Sequence, residues 1–205
     1  MRLYDIGEKD GPPVVTDRVL TIPNLLSFLR IAVIPLVYLD LVAGRHLRAL
    51  VLLAVLASTD WLDGYLARRL DQTSRLGIHL DPISDRVLFV VAGAGLVVSG
   101  LLPLWAVLVV VVRDLAVLGA GAVLIARGAE PPPASRVGKS ATFGLLAALP
   151  VFLVASILGA GPAQPQPVAH TIAWAVLAVS VVLHWVSAFG YGRTVLRRRS
   201  DPDLR

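Results

Sequence analysis

Long apolar runs, each near the length that crosses a bilayer, leave this 205-residue chain few ways to fold. A helix needs about 20 residues to span the hydrocarbon core. The runs read as six membrane helices, at 25–43, 47–70, 80–99, 102–126, 140–158 and 170–192. Their breaks are local. Gly44-Arg45-His46 closes the first helix, and Gly100 with Pro103 separates the third from the fourth. Pro131-Pro132-Pro133 parts the fourth from the fifth, and 159–167, with three prolines, parts the fifth from the sixth. Composition agrees: 56% of residues are apolar, 16% are charged, and the mean hydropathy is +0.75. Cysteine is absent, which excludes disulfides and thiolate metal sites. No internal repeat or second domain is apparent.

Charge orients the chain. Fourteen Lys and Arg side chains fall on one side of this topology: Arg2, Lys9, Arg18, Arg68, Arg69, Arg75, Arg127, Arg136, Lys139, Arg193, Arg197, Arg198, Arg199 and Arg205. Only Arg45 and Arg48 fall on the other, while Arg30, Arg86 and Arg113 lie within helices. The positive-inside bias puts both termini in the cytoplasm. The net charge of +5 is therefore an orientation signal facing anionic lipid, and nucleic acid is not expected as a partner. The first twenty residues carry Asp5, Glu8, Asp10 and Asp17 and do not resemble a secretory leader, so targeting is expected to rest on the first helix. Leu20 to Asn24 is expected to begin a short interfacial helix before that span.

Against this apolar background four acids stand out: Asp60, Asp63, Asp81 and Asp85. Spacings of three and four put each pair on one helical face, about 4.5 and 6 Å apart along the axis. If helices 2 and 3 are antiparallel neighbours, as their short connection favours, the pairs converge. An aspartate at the centre of a membrane helix costs roughly 2.5–3.5 kcal/mol on insertion scales, and less near an interface. Four together also repel one another. Two divalent ions would balance them, and all-oxygen ligands select Mg²⁺, Mn²⁺ or Ca²⁺. Gly64, one turn after Asp60, and Ala67 keep a shallow face where a ligand can approach. Arg68 can grip phosphate oxygens.

The run Asp60-x2-Asp63-Gly64-x2-Ala67-Arg68-x8-Gly77-x3-Asp81-x3-Asp85 matches every fixed position of the CDP-alcohol phosphotransferase signature. The chain thus resembles that family, the class I CDP-alcohol phosphatidyltransferases, over about residues 20–195. Ile22 to Arg30, Arg113-Asp114, and Val137 to Phe143 resemble its phosphatidylglycerophosphate and cardiolipin synthase branch. The resemblance implies a reaction of phospholipid biosynthesis. A glycerol-type hydroxyl attacks the lipid-bearing phosphorus of CDP-diacylglycerol, and CMP leaves. It implies Asp60, Asp63 and Asp81 as metal ligands, with Asp85 beside the metals and the candidate base. Gly64, Ala67, Arg68 and Gly77 would line the cytidine diphosphate pocket. Mg²⁺ or Mn²⁺, two per site, is the expected cofactor, and a homodimer the expected assembly.

The expected fold is an all-α integral membrane protein of the plasma membrane, a six-transmembrane-helix bundle with its active site facing the cytoplasm. A flexible cytoplasmic arm over 1–20 and a basic tail over 196–205 flank the membrane domain, 21–195. Arg30, Arg113, Arg136 and Lys139 are candidate phosphate or acceptor contacts. Arg113 and Asp114, about 100° apart around a helix, are expected to need separate partners. His79 is expected to be a solvated histidine, and Arg197-Arg198-Arg199 to meet lipid headgroups. The acceptor stays open between glycerol 3-phosphate and phosphatidylglycerol, with inositol phosphate a more distant option. A transporter using the acids as an ion or proton path is the competing class, and their clustering near one interface argues against it.

Overall fold

The computed structural model describes residues 15–16, 21–69, 73–129, 132, 135–159 and 167–200. At 15–16, 22–23, 60–69, 73, 75, 78–79, 81, 167 and 196–200 it describes the backbone alone. Among the described residues six helices form: α1 Ile22–Val42, α2 His46–Arg69, α3 Arg75–Val98, α4 Leu104–Ala126, α5 Arg136–Leu158 and α6 Pro167–Ser200. Among the described residues the extended structure is a two-residue parallel pair, β1 Val15–Thr16 with β2 Thr73–Ser74. Most of the arm expected over 1–20 lies outside the described residues.

All six expected helices are present, several with earlier starts. Ser74 Oγ accepts the Gly77 N–H at 2.8 Å, and Ser135 Oγ accepts the Gly138 N–H at 3.0 Å. Each serine is an N-cap that begins its helix a turn before the apolar run does. Thr21 caps α1, so Ile22 to Asn24 form the first turn of the span rather than a separate interfacial helix. At the other ends, Gly44 and Gly100 adopt φ of +71° and +75°, the left-handed turn that stops α1 and α3.

Among the described residues, four helices contain stretches long and apolar enough to cross a membrane: Asn24–Val42, Leu104–Ala126, Arg136–Leu158 and Val168–Val195. In α2 the apolar stretch is shorter, His46–Thr59. The rest of α2 and the first half of α3 carry the charged signature. This supports a multi-pass membrane protein.

The chain forms two compact units, 1–99 and 100–205. In the first, α1 packs against both α2 and α3. Asn24 lies against Gly77, Arg30 against Ser84, and Leu41 against Gly95. An offset held at 53 or 54 residues through all three contacts means that α1 and α3 run parallel in fixed register. The buried stripe of α1 is polar at one end, with Asn24, Ser27 and Arg30, and apolar at the other, with Ile34, Val37 and Leu41. Its outer face exposes Leu25, Phe28, Leu29, Leu36 and Leu39, an inverted pattern suited to lipid. At the α1–α2 turn buried Asp40 pairs with Arg45 at 2.8 Å and Arg48 at 3.6 Å. Sequence reasoning did not single out that acid.

In the second unit α6 packs on α5 and α4. The α5–α6 contacts join Gly138 to Ser187, Gly144 to Ser180 and Phe152 to Trp174, so these helices are antiparallel. Trp105 stacks on Trp174 at 5.9 Å, Arg113 reaches His184, and Gly121 faces Tyr191, so α4 and α6 are parallel. Small residues at these contacts let helices approach closely where the hydrophobic effect offers little drive.

Candidate active site

The signature occupies two helix ends joined by a short link. Asp60, Asp63, Gly64, Ala67 and Arg68 lie on the last three turns of α2, and Gly77, Asp81 and Asp85 on the first three of α3. The side chains of Asp60, Asp63, Ala67, Arg68, His79 and Asp81, and the surroundings of Gly64, lie outside the described residues. Asp85 is described and half-buried, and it has a polar partner. Among the described residues no group of three or more His, Asp or Glu comes together to hold a metal. The donor set fits hard divalent cations all the same: four carboxylates, at intervals of three and four on continuous helical backbone.

The polar end of the α1 stripe meets this region. Arg30 is 2% exposed and donates from Nη1 to Ser84 Oγ at 3.3 Å. Ser84 is fully buried and immediately precedes Asp85. The guanidinium therefore sits at the depth of the second acid pair, inside the unit, as a charge within an apolar helix should. Six residues earlier on α1, Asn24 accepts a hydrogen bond from Ser74 Oγ at 2.7 Å. A Cβ on Gly77 would stand 2.8 Å from Asn24 Oδ1 and 3.1 Å from Ser74 Oγ. Close approach of α1 thus gives Gly77 a packing reason to lack a side chain.

In the second unit the expectation of separate partners for Arg113 and Asp114 is corrected. Arg113 Nη1 donates to Asp114 Oδ1 at 2.9 Å, and the same oxygen lies 2.9 Å from His184 Nε2. Arg113 Nε also donates to the His184 carbonyl at 3.0 Å. A long arginine side chain turns back to its neighbour, which the 100° between their Cα positions does not prevent. Three buried or nearly buried polar groups thereby clamp α4 to α6. Arg136 and Lys139 stand exposed in the first turn of α5.

Sequence reasoning missed Ser74, Ser84 and His184. Ser74 was legible in principle as an N-cap three residues before Gly77. Ser84 and His184 carry no local signal, because their partners lie 54 and 71 positions away.

A family model described as CDP-alcohol phosphatidyltransferase matches residues 20–186. A protein of Mycobacterium tuberculosis strain H37Rv, provisionally named a cardiolipin synthase, is 42% identical over 144 residues, 69% of each chain. A Streptomyces coelicolor protein named cardiolipin synthase (CMP-forming) is 38% identical over 179 residues, 84% of this chain and 81% of its own. The CDP-diacylglycerol–glycerol-3-phosphate 3-phosphatidyltransferase of Bacillus subtilis is 32% identical over 181 residues, 80% of this chain and 91% of its own.

Proposed function

The chain belongs to the CDP-alcohol phosphatidyltransferase family, and from that premise we propose that it transfers the phosphatidyl group of CDP-diacylglycerol to phosphatidylglycerol, forming cardiolipin and releasing CMP. It is a CDP-diacylglycerol-dependent phosphatidyltransferase of phospholipid biosynthesis. One observation carries the choice of acceptor. The relatives that bear a cardiolipin synthase name are 42% and 38% identical to the chain, against 32% for the glycerol 3-phosphate enzyme. That enzyme also supports a second reading, with glycerol 3-phosphate as acceptor.

Each residue then has a task. Gly64 and Ala67 leave room for the cytidine diphosphate against α2, and Arg68 grips its phosphate oxygens. Asp60, Asp63, Asp81 and Asp85 would hold two Mg²⁺ or Mn²⁺ ions. Bound there, these ions supply Lewis-acid polarisation of the attacked phosphoryl group and neutralise charge on the departing phosphate. Asp85 takes the proton of the attacking glycerol hydroxyl. A new oxygen–phosphorus bond forms at the lipid-bearing phosphorus, the bond to the CMP oxygen breaks, and CMP leaves with that electron pair. Such a displacement depends mainly on positioning and charge neutralisation. Buried Arg30, beside Ser84, keeps a positive charge near the acids.

The same reading has α2 and α3 crossing the membrane with the four apolar helices, giving six spans in the plasma membrane. Both termini and the signature then face the cytoplasm, and the protein works as a homodimer. The positive-inside bias supports the orientation. The deciding experiment supplies purified protein with CDP-diacylglycerol, Mg²⁺ and one acceptor at a time. Cardiolipin and CMP should form with phosphatidylglycerol. Exclusive formation of phosphatidylglycerophosphate would move the assignment to the second reading.

A further inference from the structure

The start of α3 is tied to the start of α1 by a chain of short polar contacts. Thr21 Oγ1 accepts the Asn24 N–H at 3.3 Å, and Asn24 Oδ1 accepts the Ser74 hydroxyl at 2.7 Å. Ser74 Oγ in turn accepts the Gly77 N–H at 2.8 Å. Two N-caps are thus fused into one unit, since the serine that caps α3 donates to a side chain in the first turn of α1. The groups are held away from solvent, with Thr21, Asn24 and Ser74 exposed by 6%, 1% and 3%. Gly77 completes the arrangement, because its Cβ would stand 2.8 Å from Asn24 Oδ1. A side chain at position 77 would force the Asn24 amide to shift from its place.

Asp81 and Asp85 follow Gly77 by four and eight residues on the same continuous helix. A slip of α3 by one residue would shift both by about 1.5 Å and turn them by about 100°. A displacement near 1 Å can cost a positioned catalytic group on the order of 100-fold in rate. We propose that Asn24 and Ser74 are positioning residues. They form a latch that sets the height and rotation of α3 on α1, and Gly77 is glycine so that the Asn24 amide can enter. The latch fixes where the second pair of acids stands. This inference rests on the catalytic role proposed for those acids.

A double-mutant cycle of Asn24→Ala, Gly77→Ala and the pair tests it. Three readouts are needed: thermal unfolding, kcat against KM for CDP-diacylglycerol, and the Mg²⁺ concentration for half-maximal rate. Gly77→Ala should lower Tm and cut kcat at least tenfold, with a smaller change in KM. Asn24→Ala alone should also lower Tm and kcat, and in the double variant the added methyl finds the space that Asn24 vacated, so the two losses should be far less than additive. Ser74→Ala should raise the half-maximal Mg²⁺ concentration several-fold, and Ser74→Thr, which keeps the hydroxyl, should restore it. If Gly77→Ala instead raises KM equally with and without Asn24, the glycine is a wall of the nucleotide pocket and the latch is wrong. Tm needs no substrate. Coupling in Tm beside a wild type inactive with either acceptor would uphold the latch and sink the proposed reaction. An active wild type with additive effects in every readout would sink the latch.

Discussion

At the scale of single residues, the acids and the clamp between α4 and α6 make opposite predictions. Asp85→Asn keeps the shape of the side chain but removes the proposed base and one negative charge. It should lower kcat by at least 100-fold, a loss within the range for general-base groups, with Tm little changed; turnover near wild type would remove Asp85 from the mechanism. Asp60→Asn should stay inactive at any Mg²⁺ concentration. By contrast, Asp114→Ala leaves Arg113, whose side chain is 8% exposed, without its carboxylate. Breaking a buried pair in this way costs about 3–5 kcal/mol, so a large drop in Tm is the expected signature. The four acids were legible because helical spacing alone makes them conspicuous in an apolar chain. The Arg113–Asp114–His184 clamp was not. Its members are 1 and 70 positions apart, and the bend of a flexible arginine toward its neighbour is decided by a third group on another helix.

At the scale of elements, hydrophobic runs located six helices, and the caps then moved their starts. Helix α3 begins at Arg75 rather than near 80, and α5 at Arg136 rather than near 140. A hydropathy pattern ends where polar residues begin, whereas a helix continues to the group that satisfies its first N–H groups. Those extra turns carry Gly77 and Lys139, two of the candidate site residues. The register of α1 on α3 was not legible, because it depends on which small residue meets which large one. Gly95 is such a point, as a Cβ there would stand 2.7 Å from Leu41 Cδ1. Gly95→Leu should destabilise the first unit by about 1–3 kcal/mol through overpacking, seen as a lower Tm. Leu41→Ala in the same chain should recover part of the loss; no recovery would contradict the contact.

For the whole molecule, the surface itself is informative. Large apolar side chains stand exposed along every helix, including Leu104, Trp105, Phe143, Ile172 and Phe189, as expected where the surroundings are lipid rather than water. The proposed orientation makes tags at residues 1 and 205 reachable from the cytoplasmic side only, and a tag in the turn at Gly44 reachable only from outside. Labelling of intact cells against opened ones checks this, and a terminus labelled in intact cells would reverse the topology. Chelation should halt CMP release and added Mg²⁺ should restore it, without a change in helical content. By itself the sequence determined the family and the medium. Apolar run length calls for membrane helices, and the signature is a set of residues at intervals of three and four on helical backbone, both legible one helix at a time. Only the tertiary structure decided what holds those helices in register: the latch of Asn24 on Ser74 and Gly77, Arg30 on Ser84, and the clamp of Asp114 on Arg113 and His184. Such contacts join residues far apart in the chain, so they exist only once side-chain volume and hydrogen-bond geometry are satisfied together.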